Sequence, residues 1–215
     1  MKTTERYLFY ALALLFTCST FIAPYPFSWL VKLLPMALLF IVAVKHVPKG
    51  LNWTFVGGIM FSAIGDFLLD FNREHWFVFG LVSFLIAHIF YIISLKPQLS
   101  IIRLNAANKG IKVFVIAAYL VGSVIIFSLF TPELGALFAP VLVYMTVLLL
   151  MAISTLLSAR SNIWLVVGGL SFVVSDSMIG LDKFYPPMSI HHSAIMLSYY
   201  LAQYALLVGF IQSST

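Results

Sequence analysis

Long apolar runs alternate with short polar stretches along the whole chain. A helix needs about 20 mostly apolar residues to cross a bilayer, and each run is close to that length. The pattern therefore predicts an all-α polytopic membrane protein, with eight transmembrane helices forming a single domain over residues 1–215. The predicted helices span residues 7–22, 28–46, 52–71, 75–95, 111–130, 134–157, 163–181 and 190–211.

Composition supports a membrane protein. Hydrophobic residues make up 62% of the chain and charged residues 9%, whereas a soluble domain has about 25% charged residues. No separate soluble domain fits between the predicted helices. The net charge of +5 comes from Lys and Arg residues lying singly or in pairs in short loops, so no nucleic-acid partner is expected. Cys18 is the sole cysteine, which excludes an internal disulfide and a cysteine-based metal site.

The first apolar run has two interpretations, a signal peptide and a retained anchor. It extends over residues 7–23, longer than the apolar core of about 7–15 residues usual in signal peptides. No clear small-x-small cleavage site follows it. We therefore favour a retained anchor.

Basic residues predict the orientation, because Lys and Arg near helix ends resist translocation. Only Arg73 and Lys183 fall on one side. The basic residues on the other side are Lys2, Arg6, Lys45, Lys49, Lys96, Arg103, Lys109, Lys112 and Arg160. Both termini are therefore expected in the cytoplasm, and in a bacterium the protein would lie in the inner membrane.

The two halves of the chain resemble each other. "GGIMFSAIGDFLLDF" at 57–71 and "GGLSFVVSDSMIGLDKF" at 168–184 both begin with paired glycines and reach an Asp seven or eight residues after the second glycine. Pro35 and Pro140 fall at similar places in helices 2 and 6. This similarity predicts a four-plus-four internal repeat about an axis along the membrane normal, which would bring Asp66 and Asp176 to one depth.

Asp66 and Asp176 are the main candidates for chemistry. Each lies about five residues from the outer end of its predicted helix, and an ionised Asp facing lipid there would cost several kcal/mol. Both should therefore face the bundle interior, where flanking glycines and serines let helices approach closely. The alternative is that each carboxyl only makes hydrogen bonds between helices. Asp70, near the interface, is expected to be solvated.

Further polar side chains follow helical spacing. One stripe on helix 8 comprises His192, Met196, Tyr199 and Gln203. One on helix 4 comprises Gly80, Phe84, His88 and Tyr91. Lys32 lies inside helix 2 and must either extend to the interface or pair with an acid.

A metal site has little support from the sequence. Five histidines are present, but no HxxxH or HExxH pair occurs, and the adjacent His191 and His192 would project about 100° apart on a helix. No phosphate-binding loop or dinucleotide fingerprint is present. We therefore expect neither a metal nor a cofactor.

Five segments resemble the lysoplasmalogenase family, the YhhN-like membrane proteins that include animal alkenylglycerophospholipid hydrolases. Their order and helix placement match over most of the chain. The segments are "WLVKLLP" at 29–35, "FSAIGDFLL" at 61–69, "AHIFYI" at 87–92, "SFVVSDSMIGLDKF" at 171–184 and "SAIMLSYYLAQY" at 193–204.

The resemblance implies an eight-helix hydrolase that cleaves the vinyl ether bond of lysoplasmalogens. The products would be a fatty aldehyde and glycerophosphoethanolamine or glycerophosphocholine. The family's paired acids fall on Asp66 and Asp176, as general acid and as base or electrostatic stabiliser in an unspecified order. Lys32 or Lys183 would hold the phosphate. The substrate-binding candidates are Lys32, His88, Tyr91, Ser175, Lys183, Tyr199 and Gln203.

Two other functions stay open from the residues. Intramembrane acids beside glycine-interrupted helices also occur in proton-coupled transporters, and a four-plus-four repeat suits alternating access. A zinc-dependent membrane lipid hydrolase would use the Asp pair together with histidines.

Overall fold

The computed structural model describes residues 1–47, 53–96, 106–185 and 190–213. Within these ranges the chain is all-helical and contains no β-strand, as the apolar pattern predicts. Short 3-10 turns, Thr20–Ile22 and Gly135–Leu137, follow α1 and α5. The helices are α1 (Thr3–Ser19), α2 (Ser28–His46), α3 (Trp53–Phe71), α4 (Arg73–Leu95), α5 (Ala106–Leu134), α6 (Phe138–Leu157), α7 (Ile163–Phe184) and α8 (His192–Gln212).

Most helix ends lie within two residues of the sequence prediction, but α1 is shifted toward the N-terminus, α6 begins four residues later, and α5 and α7 are longer. α5 continues to Leu134 through Pro132, although the prediction ends at residue 130. A proline removes one backbone hydrogen bond, and membrane helices tolerate this where neighbouring groups compensate. α7 continues to Phe184 instead of ending at residue 181. Asp176 therefore lies eight residues before the end of its helix, and Asp66 lies five before the end of α3.

The chain is an integral multi-pass membrane protein. Six stretches of the described residues are long and apolar enough to cross a bilayer. The stretch Lys109–Leu157 contains both α5 and α6, and α1 is not part of any of the six. The count of eight spans therefore stays a prediction. The six stretches are Ser28–His46, Trp53–Phe71, His75–Leu95, Lys109–Leu157, Ile163–Phe184 and His192–Gln212.

Most sequential helices pack beside one another, except that α4 packs against α6 rather than against α5, and α8 lies at the centre. The most extensive pairs are α3 with α4 and α7 with α8. α8 also contacts α1 and α2, and it buries Tyr199, Tyr200 and Gln203 together with apolar side chains. α5 lies at the periphery, where Phe114, Val121 and other large apolar side chains are exposed. Such a face suits contact with lipid.

Glycines allow the central helices to approach closely. A Cβ at Gly168 would lie 2.8 Å from the backbone nitrogen of Leu206, so α7 and α8 pack almost backbone to backbone. A Cβ at Gly58 would lie 2.5 Å from the ring of Tyr91 on α4. This packing brings the polar side chains of α3, α4, α7 and α8 into one region.

The connection between α3 and α4 is a single residue, Asn72. Its side-chain oxygen accepts a hydrogen bond of 3.1 Å from the backbone N–H of His75 and caps α4. Asn is a favourable capping residue because it satisfies an N–H that the first helical turn leaves unpaired. α4 therefore returns directly along α3, which places His88 in the same bundle interior as Asp66.

Candidate active site

Asp66 forms the first half of the candidate site. Its side chain is buried on α3, where Tyr199 of α8 donates a hydrogen bond of 2.5 Å to Oδ2. The Nζ of Lys32, on α2, lies 3.7 Å from Oδ1. Lys32 is itself 3% exposed, so it does not extend to the interface. It pairs with an acid, the second of the two arrangements considered from the sequence.

Asp70 is not simply solvated, contrary to the sequence expectation. Its side chain is 15% exposed, and its Oδ1 lies 3.8 Å from the Nζ of Lys32. Ser28 donates a hydrogen bond of 2.7 Å to its Oδ2. The reason is geometric, since Asp66 and Asp70 lie one helical turn apart on α3 and face the same lysine. One ammonium group therefore serves two carboxyl groups.

Asp176 forms the second half of the site, on α7. Tyr144 of α6 donates a hydrogen bond to its Oδ2, and the Nε2 of His88 lies 3.4 Å from the same oxygen. His88 Nε2 also lies 3.3 Å from the hydroxyl of Tyr144. His88 is fully buried, and the side chain of Asp176 is 7% exposed. The three groups meet in a water-poor environment without a Lys or Arg among these contacts.

One cleft joins the two halves. Its volume is about 920 Å³, counting the space at its mouth, and both Asp66 and Asp176 line it. Each carboxyl keeps its own hydrogen-bond partners, and the ring of Phe84 forms part of the wall. The other polar or ionisable side chains along the cleft are Ser28, Lys32, Asp70, Ser175, His192 and Tyr199.

An apolar cavity adjoins this cleft at Asp176. Its volume is about 590 Å³ with its opening, and its walls come mainly from apolar side chains of α4, α5, α6 and α7. Asp176 and Tyr144 are polar members of its lining. The Asp176 carboxyl therefore stands where a polar cleft meets an apolar space. Such a boundary suits an amphiphile with one polar and one apolar end.

Of the four remaining predicted site residues, Ser175 lines the cleft, while Tyr91, Gln203 and Lys183 lie outside it. Tyr91 donates a hydrogen bond of 2.7 Å to Oε1 of Gln203, and this buried pair does not line the cleft. Ser175 lines the cleft but donates its hydrogen bond, 3.2 Å long, to the carbonyl of Ile195. Lys183 is exposed, with its Nζ 5.2 Å from the ring centroid of Phe77. As a phosphate ligand, Lys183 stays a prediction.

Tyr144 is the residue that the sequence analysis missed. It lies in the mostly apolar α6 and belongs to neither of the polar stripes predicted on α4 and α8. One sequence feature could have identified it. Tyr144 lies four residues after Pro140 in α6, the helix that corresponds in the predicted repeat to α2, which carries Lys32. Of the four residues in the stripe predicted on α8, three line the cleft, namely His192, Met196 and Tyr199.

No group of three or more His, Cys, Asp or Glu side chains suited to a metal occurs in the part of the chain that the structure describes. His88 lies at Asp176, and His46 lies far along α2, where its Nε2 is 3.1 Å from Glu5.

The fold and site together define a multi-pass membrane protein with two buried carboxyl groups in one cleft. The chain belongs to the YhhN family, whose model matches residues 27–210. This agrees with the resemblance found in the sequence.

Curated relatives extend the comparison. The chain is 36% identical over 177 residues to the lysoplasmalogenases of Mycobacterium bovis and Mycobacterium tuberculosis, an alignment covering 80% of this chain. It spans 66% of the length of these mycobacterial relatives. It is 27% identical over 203 residues to lysoplasmalogenase TMEM86A of Homo sapiens, covering 86% of this chain and 79% of the relative. No solved structure matches the chain.

Proposed function

We propose that the protein is a lysoplasmalogenase that hydrolyses the vinyl ether bond of a single-chain ether lysophospholipid. The products are a fatty aldehyde and glycerophosphoethanolamine or glycerophosphocholine. The observation that carries the proposal is the placement of Asp66 and Asp176 in one cleft that adjoins an apolar cavity. Membership in a family with relatives named lysoplasmalogenase supports it.

The reaction needs an acid and a base. Protonation of the vinyl β-carbon gives an oxocarbenium ion, water adds to the carbon that bears the ether oxygen, and the resulting hemiacetal collapses to aldehyde and alcohol. One carboxyl donates the proton to carbon. The other accepts a proton from the attacking water and stabilises positive charge, as paired carboxyl groups do in glycosidases. A buried apolar setting favours the protonated acid that the first step requires.

The neighbouring side chains hold the two carboxyl groups in place. Lys32 and Tyr199 fix Asp66, while Tyr144 and His88 fix Asp176. A positioned acid near the reacting atom lowers the barrier because less orientational freedom is lost at reaction. Lys32 also lines the cleft, where a phosphate group would meet its ammonium. Ser175, Tyr91 and Gln203 stay in the proposed substrate-binding set, together with Lys183.

The eight-span architecture and the internal repeat are part of the proposal. In a four-plus-four repeat, α4 corresponds to α8 and α6 corresponds to α2. The contact between α4 and α6 therefore corresponds to the contact between α8 and α2, and both pairs of helices pack together. The same correspondence relates the two acids. Asp66 has partners on α2 and α8, and Asp176 has partners on α6 and α4. The contacts of α1 with α8 and of α5 with α7 have no counterpart of similar size.

The test is aldehyde release by purified protein in detergent, followed by mass spectrometry with an alkenyl lysophospholipid as substrate. Wild-type protein should release the fatty aldehyde. Asp66→Asn and Asp176→Asn should each reduce kcat by at least about 100-fold, because general acid–base catalysis contributes about 10²–10⁴-fold. Asp182→Asn is the matched control, since Asp182 lies outside the cleft and accepts from the backbone N–H of Ile190.

Three results would contradict the proposal. Aldehyde release that persists in a folded Asp66→Asn or Asp176→Asn variant would remove that carboxyl from the chemistry. Absence of aldehyde from folded wild-type protein, together with proton-coupled solute uptake into vesicles, would favour a transporter. Loss of activity with a chelator and recovery with zinc would favour the metal alternative.

A further inference from the structure

The apolar cavity beside Asp176 adjoins a second apolar space along α5. This second space has a volume of about 440 Å³ with its opening, and it lies between α5, α6 and α7. The side chains common to both cavities are Ile126, Met145, Leu148 and Ser177. The polar cleft, the first cavity and the second cavity therefore follow one another, with Asp176 at the first junction and these four side chains at the second.

Loose packing of α5 leaves this room. α5 buries Tyr119, Phe130 and Leu134, while many of its other large apolar side chains are exposed. Phe130 lines the first cavity and Gly122 lines the second. These two residues are eight apart, which corresponds to about 12 Å along the helix. The spaces therefore extend lengthwise beside α5 and away from the polar cleft.

We propose that these two cavities form one tunnel that binds the alkenyl chain of the substrate and sets its chain-length preference. The proposal rests on the function proposed above. The polar head of the lysolipid lies in the cleft with Lys32, the vinyl ether lies at Asp176, and the chain passes Ile126 and Met145 toward Gly122. A flexible methionine, Met145, lines both cavities, and such a side chain suits passage of a hydrocarbon chain.

A larger side chain introduced at Gly122 should block the tunnel and leave its wall intact. A Cβ added there would meet no atom within 4 Å, and Gly122 lines the second cavity, so we expect a larger side chain at this position to occupy part of that cavity. Leucine also has a higher helix propensity than glycine, so the substitution should not weaken α5. Gly110 is the matched control, since it lies on the same helix, has the same open surroundings and lines neither cavity.

The experiment measures kcat/KM for two alkenyl lysophosphoethanolamines, one with an octenyl chain and one with an octadecenyl chain. Gly122→Leu should reduce kcat/KM for the octadecenyl substrate by at least about tenfold. A long chain that cannot enter the tunnel completely leaves the vinyl ether displaced from Asp176, and a displacement of about 1 Å can lower the rate about 100-fold. The octenyl substrate should be hydrolysed as by wild type. Gly110→Leu should keep the wild-type values for both substrates.

Modification of a single cysteine at position 122 provides a second test if Gly122→Leu does not fold. Gly122→Cys in a Cys18→Ala background carries one cysteine, because Cys18 is the only native one. Modifying the folded protein with a hexyl methanethiosulfonate should then produce the same loss for the octadecenyl substrate alone.

Failure of this inference is distinguishable from failure of the proposed function. If wild-type protein releases aldehyde but the plugged proteins keep the wild-type ratio between the two chain lengths, the second cavity does not hold the chain and the tunnel is rejected. The same holds if both substrates slow equally in the modified cysteine variant. If wild-type protein releases no aldehyde from either substrate, it is the proposed function that fails.

Discussion

Tyr144 contributes one hydroxyl group to a contact that joins three helices. It donates to Asp176 of α7 and lies 3.3 Å from His88 of α4. All three groups are largely buried, so the hydrogen bond to the carboxylate oxygen does not compete with bulk water. We infer that Tyr144 is a positioning residue, acting on the reaction through Asp176.

Tyr144→Phe should therefore lower kcat and leave KM nearly unchanged. A hydrogen bond to a charged group contributes about 1.5–3 kcal/mol, which corresponds to about 10- to 150-fold in rate if it is lost at the transition state. Steady-state kinetics on the alkenyl lysolipid provide the measurement. Tyr204→Phe removes a hydroxyl from another largely buried tyrosine outside the cleft and should keep the wild-type kcat. A Tyr144→Phe variant with wild-type kcat would show that Asp176 needs no such support.

Helices α7 and α8 depend on glycine for their spacing. Besides Gly168, Gly209 of α8 meets α7 closely, since a Cβ there would lie 2.7 Å from the backbone nitrogen of Leu165. Asn162 at the start of α7 donates a hydrogen bond of 2.8 Å to the carbonyl of Gly209. The register of these two helices sets where Asp176 and Tyr199 stand relative to the cleft.

Gly168→Ala should destabilise the protein by about 1–3 kcal/mol, because the added methyl group meets backbone atoms that cannot move aside cheaply. Thermal unfolding of the purified protein in detergent measures the effect. Gly122→Ala, on the open face of α5, should keep or slightly raise the unfolding temperature, since alanine favours helix by about 0.8–1.0 kcal/mol over glycine. Equal unfolding temperatures for the two variants would mean that α7 and α8 can separate without cost.

The whole molecule has a charge asymmetry that predicts its direction in the membrane. Lys45 lies at the end of α2 and His75 near the start of α4, so α3 separates them. Both are exposed. With the basic loops retained in the cytoplasm, Lys45 should face the cytoplasm and His75 the opposite side.

Single cysteines test this orientation in a Cys18→Ala background. A membrane-impermeant maleimide added to right-side-out vesicles should label His75→Cys and leave Lys45→Cys unlabelled, and inside-out vesicles should give the reverse pattern. Labelling of Lys45→Cys from the outside would invert the assignment. The cleft would then open toward the cytoplasmic leaflet.

The all-α membrane fold follows from the sequence for a simple physical reason. A bilayer leaves backbone hydrogen bonds to be made within the chain, so long apolar runs must become helices, and their periodicity is visible without coordinates. Helix ends are harder to predict because a proline does not always end a membrane helix, and α5 continues through Pro132. The cost of a carboxylate in lipid likewise indicates from the sequence alone that Asp66 and Asp176 face inward.

The tertiary structure decided which partners each acid has. No spacing in the sequence places Tyr144 on Asp176, makes Asp66 and Asp70 share Lys32, or moves Tyr91 and Gln203 away from the cleft into their own pair. These contacts join different helices, and they depend on helix rotation and on glycine-controlled distances of a few ångströms. Periodicity gives the face of each helix, but packing between helices decides what that face meets.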